Sequence, residues 1–281
     1  MRVRDLAAAA ERAFVAAGIP VAEARLDAEL LLRHVLGWDR ATWVVRRDET
    51  APAELDDRSA PLVARRAGRE PVAYIRGVQA FYGRDFAVGP GVLVPRPETE
   101  LLVEEALAAL TATPRPRVLD IGTGSGCLAV TVALERPDAE VSGTDVSASA
   151  LDWARQNAAR HGAEARTIWR LGADTAGLPG PFDLVVTNPP YVPERDRGTL
   201  QPEVAHHEPA AALFGGADGL AAIRAVVPAA HAVLRPGGTL VLEIGAGQAG
   251  EAGRIVGAAG FAAARTRADL QGIPRVVVAT R

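Results

Sequence analysis

Lysine is absent from this chain: all 31 basic residues are arginine. No lysine can therefore serve as a nucleophile or form a Schiff base with a carbonyl substrate. A single cysteine, Cys127, excludes an internal disulfide, and five scattered histidines leave little from which to build a zinc site. No uncharged apolar run reaches the roughly 18 residues that mark a membrane-spanning helix. The first residues, Met1-Arg2-Val3-Arg4-Asp5, lead into an alanine-rich stretch interrupted by Glu11 and Arg12, where a signal peptide would have an apolar core. The expectation is a cytoplasmic protein with no membrane partner. Excess positive charge is lacking too: the formal net charge is −3, and residues 1–76 hold 13 arginines against 12 acids. A protein held on a phosphate backbone should show a basic stripe, so no direct nucleic-acid partner is expected.

What is present suffices for a large core, with 48% of 281 residues hydrophobic. Apolar positions recur at helical spacing over 6–15 and 24–36, and Ala51-Pro52-Ala53-Glu54 opens a further helix carrying Leu55, Leu62 and Val63. Residues 1–76 thus read as a small helical bundle, either a partner-recognition or lid domain or a stabilising cap. Trp38 and Trp43 are core or inter-helix anchors on one reading and ligand-stacking groups on the other. From Val78 the pattern alternates, predicting a β-hairpin around Gly83-Arg84 within a linker of residues 77–92. Residues 93–281 form the remaining domain. A helix over 101–110 follows Val94-Pro95-Arg96-Pro97-Glu98-Thr99-Glu100; Pro97 suits a first helical turn, and Glu98 and Glu100 favour its positive end. Two prolines hold Arg96 just before that helix, where it could meet a carboxylate.

Strand patterns at 118–121, 140–144, 165–169, 182–187, 239–244, 261–266 and 275–279 then alternate with helix patterns at 125–135, 147–161, 218–234 and 249–260. This predicts a doubly wound α/β domain with a mostly parallel sheet. The last two strands are separated only by a loop, so one edge should be antiparallel. Such sheets bind ligands beyond the carboxyl ends of their strands, and two of these tips are chemically loaded.

The first tip is Asp120-Ile121-Gly122-Thr123-Gly124-Ser125-Gly126. Its glycines let the backbone turn tightly and approach a ligand, and the next helix presents free N–H groups. Cys127 stands where a dinucleotide fingerprint would place its third glycine, and is most simply a small residue packed under the loop. Asp120 would repel a pyrophosphate but suits a cationic amino-acid moiety. Asp145, at the next strand's tip, can accept hydrogen bonds from vicinal ribose hydroxyls or cap the following helix. Together these features favour S-adenosylmethionine over NAD.

The second tip is Asn188-Pro189-Pro190-Tyr191. The prolines fix the backbone, so the Asn188 side-chain carbonyl and the Pro189 backbone carbonyl can each accept a hydrogen from one planar NH₂ group. Tyr191 could cover that group's flat face. This arrangement suits methyl transfer to nitrogen, where positioning and carbonyl dipoles contribute most; an isolated Asn-Pro-Pro could equally be a plain turn. Glu203, His206, His207 and Glu208 crowd the following loop, but a third fixed ligand is lacking and no metal is expected.

The glycine loop, Asp145 and the Asn-Pro-Pro-Tyr turn together resemble the class I S-adenosylmethionine methyltransferases that modify amide or exocyclic amino nitrogens. That group spans adenine-N6 DNA methyltransferases and glutamine-N5 protein methyltransferases. Leu26-Asp27-Ala28-Glu29-Leu30-Leu31, Glu70-Pro71-Val72-Ala73-Tyr74-Ile75-Arg76-Gly77 and the segment from Val94 to Glu100 resemble the PrmC/HemK release-factor methyltransferases. The resemblance implies a Rossmann-like fold with a seven-stranded mixed sheet behind a helical substrate-recognition domain. It implies transfer of methyl from S-adenosylmethionine, leaving S-adenosylhomocysteine, to the glutamine of the Gly-Gly-Gln loop of class 1 peptide chain release factors, by a monomer. By this analogy Asn188, Pro189, Pro190 and Tyr191 hold the glutamine amide, with Arg96 and Glu98 at the pocket mouth. Asp120, Gly122, Thr123, Gly124 and Gly126 enclose the cofactor, which Asn188 also borders, and Asp145 takes the ribose. Asp174 could fill an acidic role near the adenine, and Trp169 could close a strand beside it. The rivals are a DNA adenine methyltransferase, a NAD-dependent oxidoreductase and a non-enzymatic partner of release factors.

Overall fold

The computed structural model describes residues 1–173, 178 and 180–281. The chain divides into two compact units, Met1–Val78 with Gln201–His207, and Gln79–Leu200 with Glu208–Arg281.

The first unit is helical: α1 (Val3–Ala16), α2 (Val21–Leu36), α3 (Arg40–Arg46), α4 (Leu55–Ala67) and α5 (Val72–Arg76). Amphipathic stripes on α1, α2 and α4 turn inward, and Phe14, Ala24, Ala28, Leu31 and Ile75 close one cluster. Val3, Leu6, Leu32, Trp43 and Leu55 close another. Trp43 is therefore a core residue, and half-buried Trp38 packs against the same cluster with Arg46 over its ring. The α2 helix stops at Gly37, which takes a left-handed conformation that costs glycine little. The short helices α3 and α5 carry too few turns to show a period, and the sequence reading did not separate them. Asp39 starts α3 by accepting the Thr42 N–H at 2.7 Å.

A stretch from far down the chain completes this unit. Glu203, in the helix Pro202–His207, is buried against α4. Arg66, only 2% exposed, binds Glu203 at 3.0 Å, Asp27 at 2.6 Å and Glu23 at 2.9 Å. Arg69 also binds Glu203, from a backbone at φ 67 that a non-glycine residue adopts only when held there. Burial outweighs Arg66 and raises the Asp27 carboxyl above its ordinary value. Burial also acts against ionised Glu203, but its hydrogen bonds, those to Arg69 and Arg66 among them, bring it below its ordinary value.

The second unit opens with a hairpin, β1 (Val78–Phe81, its first residue belonging to the helical unit) and β2 (Arg84–Ala87), turned by Tyr82 and Gly83 at φ 49 and 72. Phe81 and Phe86 enter this unit's core. Then come α6 (Glu100–Leu110), β3 (Arg117–Ile121), α7 (Cys127–Glu135), β4 (Glu140–Asp145), α8 (Ala148–His161), β5 (Thr167–Leu171) and β6 (Phe182–Thr187). After α9, the Pro202–His207 helix of the first unit, follow α10 (Ala210–Leu213), α11 (Ala221–Val233), β7 (Leu234–Glu243), α12 (Ala249–Ala258), β8 (Ala263–Ala268) and β9 (Pro274–Thr280).

Seven strands form one mixed sheet in the order β5-β4-β3-β6-β7-β9-β8, parallel through β7, with β9 antiparallel to both neighbours. Alternate residues feed opposite cores. Val118, Leu184, Val186 and Val241 face α6 and α7, whereas Leu119, Val185, Leu240 and Leu242 face α11 and α12. Arg235-Pro236-Gly237-Gly238 lies inside β7, where the register with β6 jumps between Leu234 and Thr239. Among the described residues, no helix is long and apolar enough to cross a membrane.

Candidate active site

The strand order sets the site. From β3 the chain winds outward through β4 and β5, then returns to place β6 on the other side of β3. Ligands bind at such reversals. Ile121 pairs with Thr187, and the Thr187 hydroxyl donates to the Ile121 carbonyl at 2.7 Å, so Gly122 and Asn188 leave adjacent strands at one level. On the other flank the N–H groups of Gly122 and Thr123 donate to the Thr144 carbonyl at 2.8 and 2.9 Å, which sets Asp145 beside the loop.

The three loop glycines divide their work. All have positive φ, at 74, 56 and 77. A Cβ on Gly122 or Gly124 would meet nothing within 4 Å, so these two present bare backbone to open space. A Cβ on Gly126 would lie 3.0 Å from Ala154 of α8 and 3.3 Å from the Trp169 ring, so this glycine lets the loop pack on its own scaffold. Trp169 also crosses Gly143, whose added Cβ would sit 2.5 Å from the ring, and it packs on the core behind the loop. Buried Asn157 fastens the rear: its amide nitrogen donates to the carbonyls of Ser125 at 2.8 Å and Ala87 at 2.9 Å, and its oxygen accepts the Ala87 N–H.

Both acids of this tip are anchored. Asp145 accepts the Gly124 N–H on one oxygen and the Ser147 N–H on the other, each at 2.9 Å, while Ser147 itself caps α8. Each carboxylate oxygen keeps a lone pair for a hydroxyl group. Asp120 is fully buried; one oxygen accepts from the Thr123 hydroxyl at 2.6 Å, and the other has no hydrogen-bond partner among the described residues. Burial pushes its carboxyl up to about 7, with Thr123 opposing. Cys127 is buried under the loop with its thiol pushed up to about 12 by burial, which suppresses the reactive thiolate.

At the second tip, half-buried Asn188 donates from Nδ2 to the Thr99 hydroxyl at 3.2 Å. Thr99 donates to Glu243 Oε2 at 2.7 Å, and the Tyr191 hydroxyl donates to Glu243 Oε1 at 3.2 Å. Glu243 is 1% exposed, and burial pushes its carboxyl up to about 7. Desolvation and this same carboxylate push the Tyr191 phenol up. Gln248 clamps the turn, accepting the Gly245 N–H at 2.8 Å and donating to the Tyr191 carbonyl at 3.0 Å. Gly215 and Gly219 brace it from behind, where a Cβ would strike the Pro190 and Tyr191 carbonyls.

Arg96 meets a carboxylate of its own chain: it binds Glu208 at 2.5 Å, and the other Glu208 oxygen accepts the Val94 N–H at 3.1 Å. Glu98 lies in the turn Pro97–Thr99 and adds negative charge near Glu243. Asp174 lies outside the described residues. Glu203, grouped in the sequence with His206 and His207, is taken up by Arg66 and Arg69. Thr99, Glu243 and Gln248 were not picked out as site residues from sequence. Thr99 lies within the Val94-to-Glu100 segment, but Glu243 ends a strand in a way that any strand residue might.

Two family models match the chain, the PrmC N-terminal domain over residues 5–77 and the methyltransferase small domain over residues 97–207. The release factor glutamine methyltransferase of Geobacter sulfurreducens is 47% identical over 257 residues, covering 92% of this chain and 89% of its own. That of Deinococcus radiodurans is 42% identical over 281 residues, covering 100% and 99%. Among solved structures, a methyltransferase from Pyrococcus furiosus superposes with a TM-score of 0.51 at 19% identity, covering 80% of this chain and 98% of that one, a likeness of fold.

Proposed function

The chain belongs to the release factor glutamine methyltransferases, and we propose from that membership and from the site's geometry how its residues carry out the reaction. It transfers a methyl group from S-adenosylmethionine to the side-chain amide nitrogen of a glutamine in a peptide chain release factor, the glutamine of the Gly-Gly-Gln motif. The observation that most supports the residue roles is the meeting of a bare glycine loop, an acid and an Asn-Pro-Pro turn at one reversal of strand order. S-adenosylmethionine, when bound, supplies a methyl group on a positively charged sulfur.

Gly122 and Gly124 give the cofactor a side-chain-free wall, Thr123 and buried Asp120 hold that wall's shape, and Asp145 accepts from the ribose hydroxyls. The unpartnered Asp120 oxygen fits a cationic ligand group or a water beside it. Gly126 contributes by letting the loop seat on α8. On the acceptor side, the Asn188 side-chain carbonyl and the Pro189 backbone carbonyl each accept one hydrogen of the glutamine NH₂ group. Pro190 keeps the turn rigid, and Tyr191 packs on the amide's flat face. As the nitrogen gains its new bond to the methyl carbon and that carbon's bond to sulfur breaks, with the electron pair returning to sulfur, both carbonyl dipoles stabilise the positive charge building on the nitrogen's hydrogens. One of those hydrogens then leaves to water as a proton. Arg96, with Glu98 nearby, and its partner Glu208 shape the mouth. The helical residues 1–76 recognise the release factor, with residues 77–92 as the hairpin link, and the protein works in the cytoplasm.

Mass spectrometry of a bacterial release factor after incubation with the enzyme and cofactor tests this reading. One added methyl group on the Gly-Gly-Gln glutamine is expected; methylation of DNA adenine with none on the release factor would overturn it. Asn188→Ala should keep cofactor affinity while lowering kcat about 10²- to 10³-fold, as loss of one preorganised polar contact does. Unchanged turnover would remove Asn188 from its role.

A further inference from the structure

An asparagine amide can present either end to a substrate, and only one end is useful here. Acceptance of an NH₂ group needs the carbonyl oxygen; the reverse orientation would set donor against donor. The hydrogen-bond directions behind Asn188 decide between them. Glu243, when ionised, can only accept, and it takes hydrogen bonds from the hydroxyls of Thr99 and Tyr191. Threonine has a single hydroxyl proton, and Thr99 commits it to Glu243. Toward Asn188, Thr99 therefore has only a lone pair to offer, and the Asn188 group 3.2 Å away must be its NH₂.

We infer that Thr99 and Glu243 are positioning residues that hold the Asn188 amide with its NH₂ group inward and its carbonyl oxygen turned to the substrate. The inference rests on the functional reading above and deepens it. Sheet register makes the arrangement possible: Leu242 pairs with Thr187, so Glu243 stands level with Asn188 on the neighbouring strand. The 3₁₀ turn Pro97–Thr99, which leads into α6, delivers Thr99 between them. Keeping a carboxylate 1% exposed is costly, and Arg275, which draws it down from a distance, is itself bonded to Asp269 at 2.9 Å. An apolar residue would fill the same space more cheaply. What it could not do is dictate which way two hydroxyls and one amide point. The same carboxylate orients Tyr191, so both ends of the Asn-Pro-Pro-Tyr turn refer to one fixed acceptor.

The test compares wild type, Thr99→Val, Thr99→Ser, Glu243→Leu and the double variant Thr99→Val/Glu243→Leu by steady-state methylation of a release factor, with cofactor affinity and melting temperature measured alongside. Valine matches threonine in shape and removes only the hydroxyl. Thr99→Val should lower kcat about ten- to hundred-fold while the cofactor Kd stays within about threefold, since both hydrogen bonds of the hydroxyl are lost and the amide is free to turn over. Thr99→Ser should restore most of that loss. Glu243→Leu frees the Thr99 proton to point at Asn188 and also releases Tyr191, so it should cost at least as much as Thr99→Val, with the double variant no worse than Glu243→Leu alone, because both changes break one relay. Wild-type kcat in Thr99→Val, a serine variant as impaired as valine, or additive losses in the double variant would each overturn the inference. A wild-type enzyme that leaves the release factor unmethylated would instead overturn the functional reading on which it rests.

Discussion

Replacing Arg66 by methionine tests the electrostatics of the helical unit. Arg66 is 2% exposed and is bonded at 3.0 Å or less to Asp27, Glu23 and Glu203, two of which are buried. Methionine is of similar length and apolar, so the substitution leaves little cavity and strands the carboxylates with Arg69 as their remaining cation. Removing one partner of a buried ion pair costs about 3–5 kcal/mol, because the surviving charge stays desolvated. The cost should depend on pH with a definite sign. Asp27 already lies above its ordinary value because burial outweighs Arg66, and without Arg66 it must rise further, with Glu23 and Glu203 following. An acid raised in the folded state contributes most below its ordinary range, and that contribution is lost as pH climbs through the raised value. The variant's deficit should therefore be largest at pH 8 and shrink towards pH 5. Urea unfolding followed by circular dichroism at both pH values measures it. A deficit below about 1 kcal/mol at pH 8, or one equal at both, would refute the reasoning. Replacing the two buried carboxylates as well, with Asp27→Leu and Glu203→Leu added, should recover most of the loss, since an apolar replacement of buried ion partners is often neutral or better.

Asp120→Asn removes a carboxyl held at about 7 by burial, against an ordinary value of 3.8. Wild type loses stability as pH rises through about 7, so the unfolding free energy of the variant should gain on wild type between pH 5 and pH 8, by up to about 3 kcal/mol. A pH-independent difference would show that the carboxyl titrates normally. Gly126→Ala should lower stability by about 1–3 kcal/mol, because its Cβ lies 3.0 Å from Ala154 at φ 77. Gly122→Ala shares the strain of a positive φ but meets no neighbour, so it should lose less stability than Gly126→Ala while raising the cofactor Kd; thermal melts and calorimetry separate the two, and equal melting temperatures would refute the division of labour.

The sheet was legible because its central strands β3 and β6 are short apolar runs ending at loops, and β6 falls on the residues its pattern marks, Phe182–Thr187. The strand β5 lies two residues later than its pattern suggests, at Thr167–Leu171, where exposed Ile168 and Leu171 blur the burial signal of an edge strand. The site was half legible. Gly122, Asp145 and Asn188 are strand-tip residues whose chemistry can be read locally. Their supports cannot: Thr99 finds Glu243 from 144 positions away, and Arg66 finds Glu203 from 137. No periodicity reports such a meeting. Sequence could say that Asn188 has a carbonyl to offer, but only the direction of the Thr99 hydroxyl says which way it is offered.

The segments that set this chain apart from other nitrogen methyltransferases act largely through structure. Asp27 binds Arg66, Glu29 binds Arg33 at 3.2 Å, and Glu70 binds Arg65 at 2.5 Å, all within the helical unit. Glu100 accepts the Tyr82 N–H of the hairpin turn at 2.8 Å, and Thr99 serves Glu243. Each of these residues has a specific partner, and most are carboxylates whose desolvation must be met by one arginine or one N–H group. At the buried positions, Asp27 and Thr99, a single substitution on either side leaves a charge or donor without its partner, whereas the more exposed pairs of Glu29 and Glu70 contribute less. The Asn188 relay would receive any planar NH₂ group, whether on glutamine or on a base. Discrimination between them must therefore reside outside the turn.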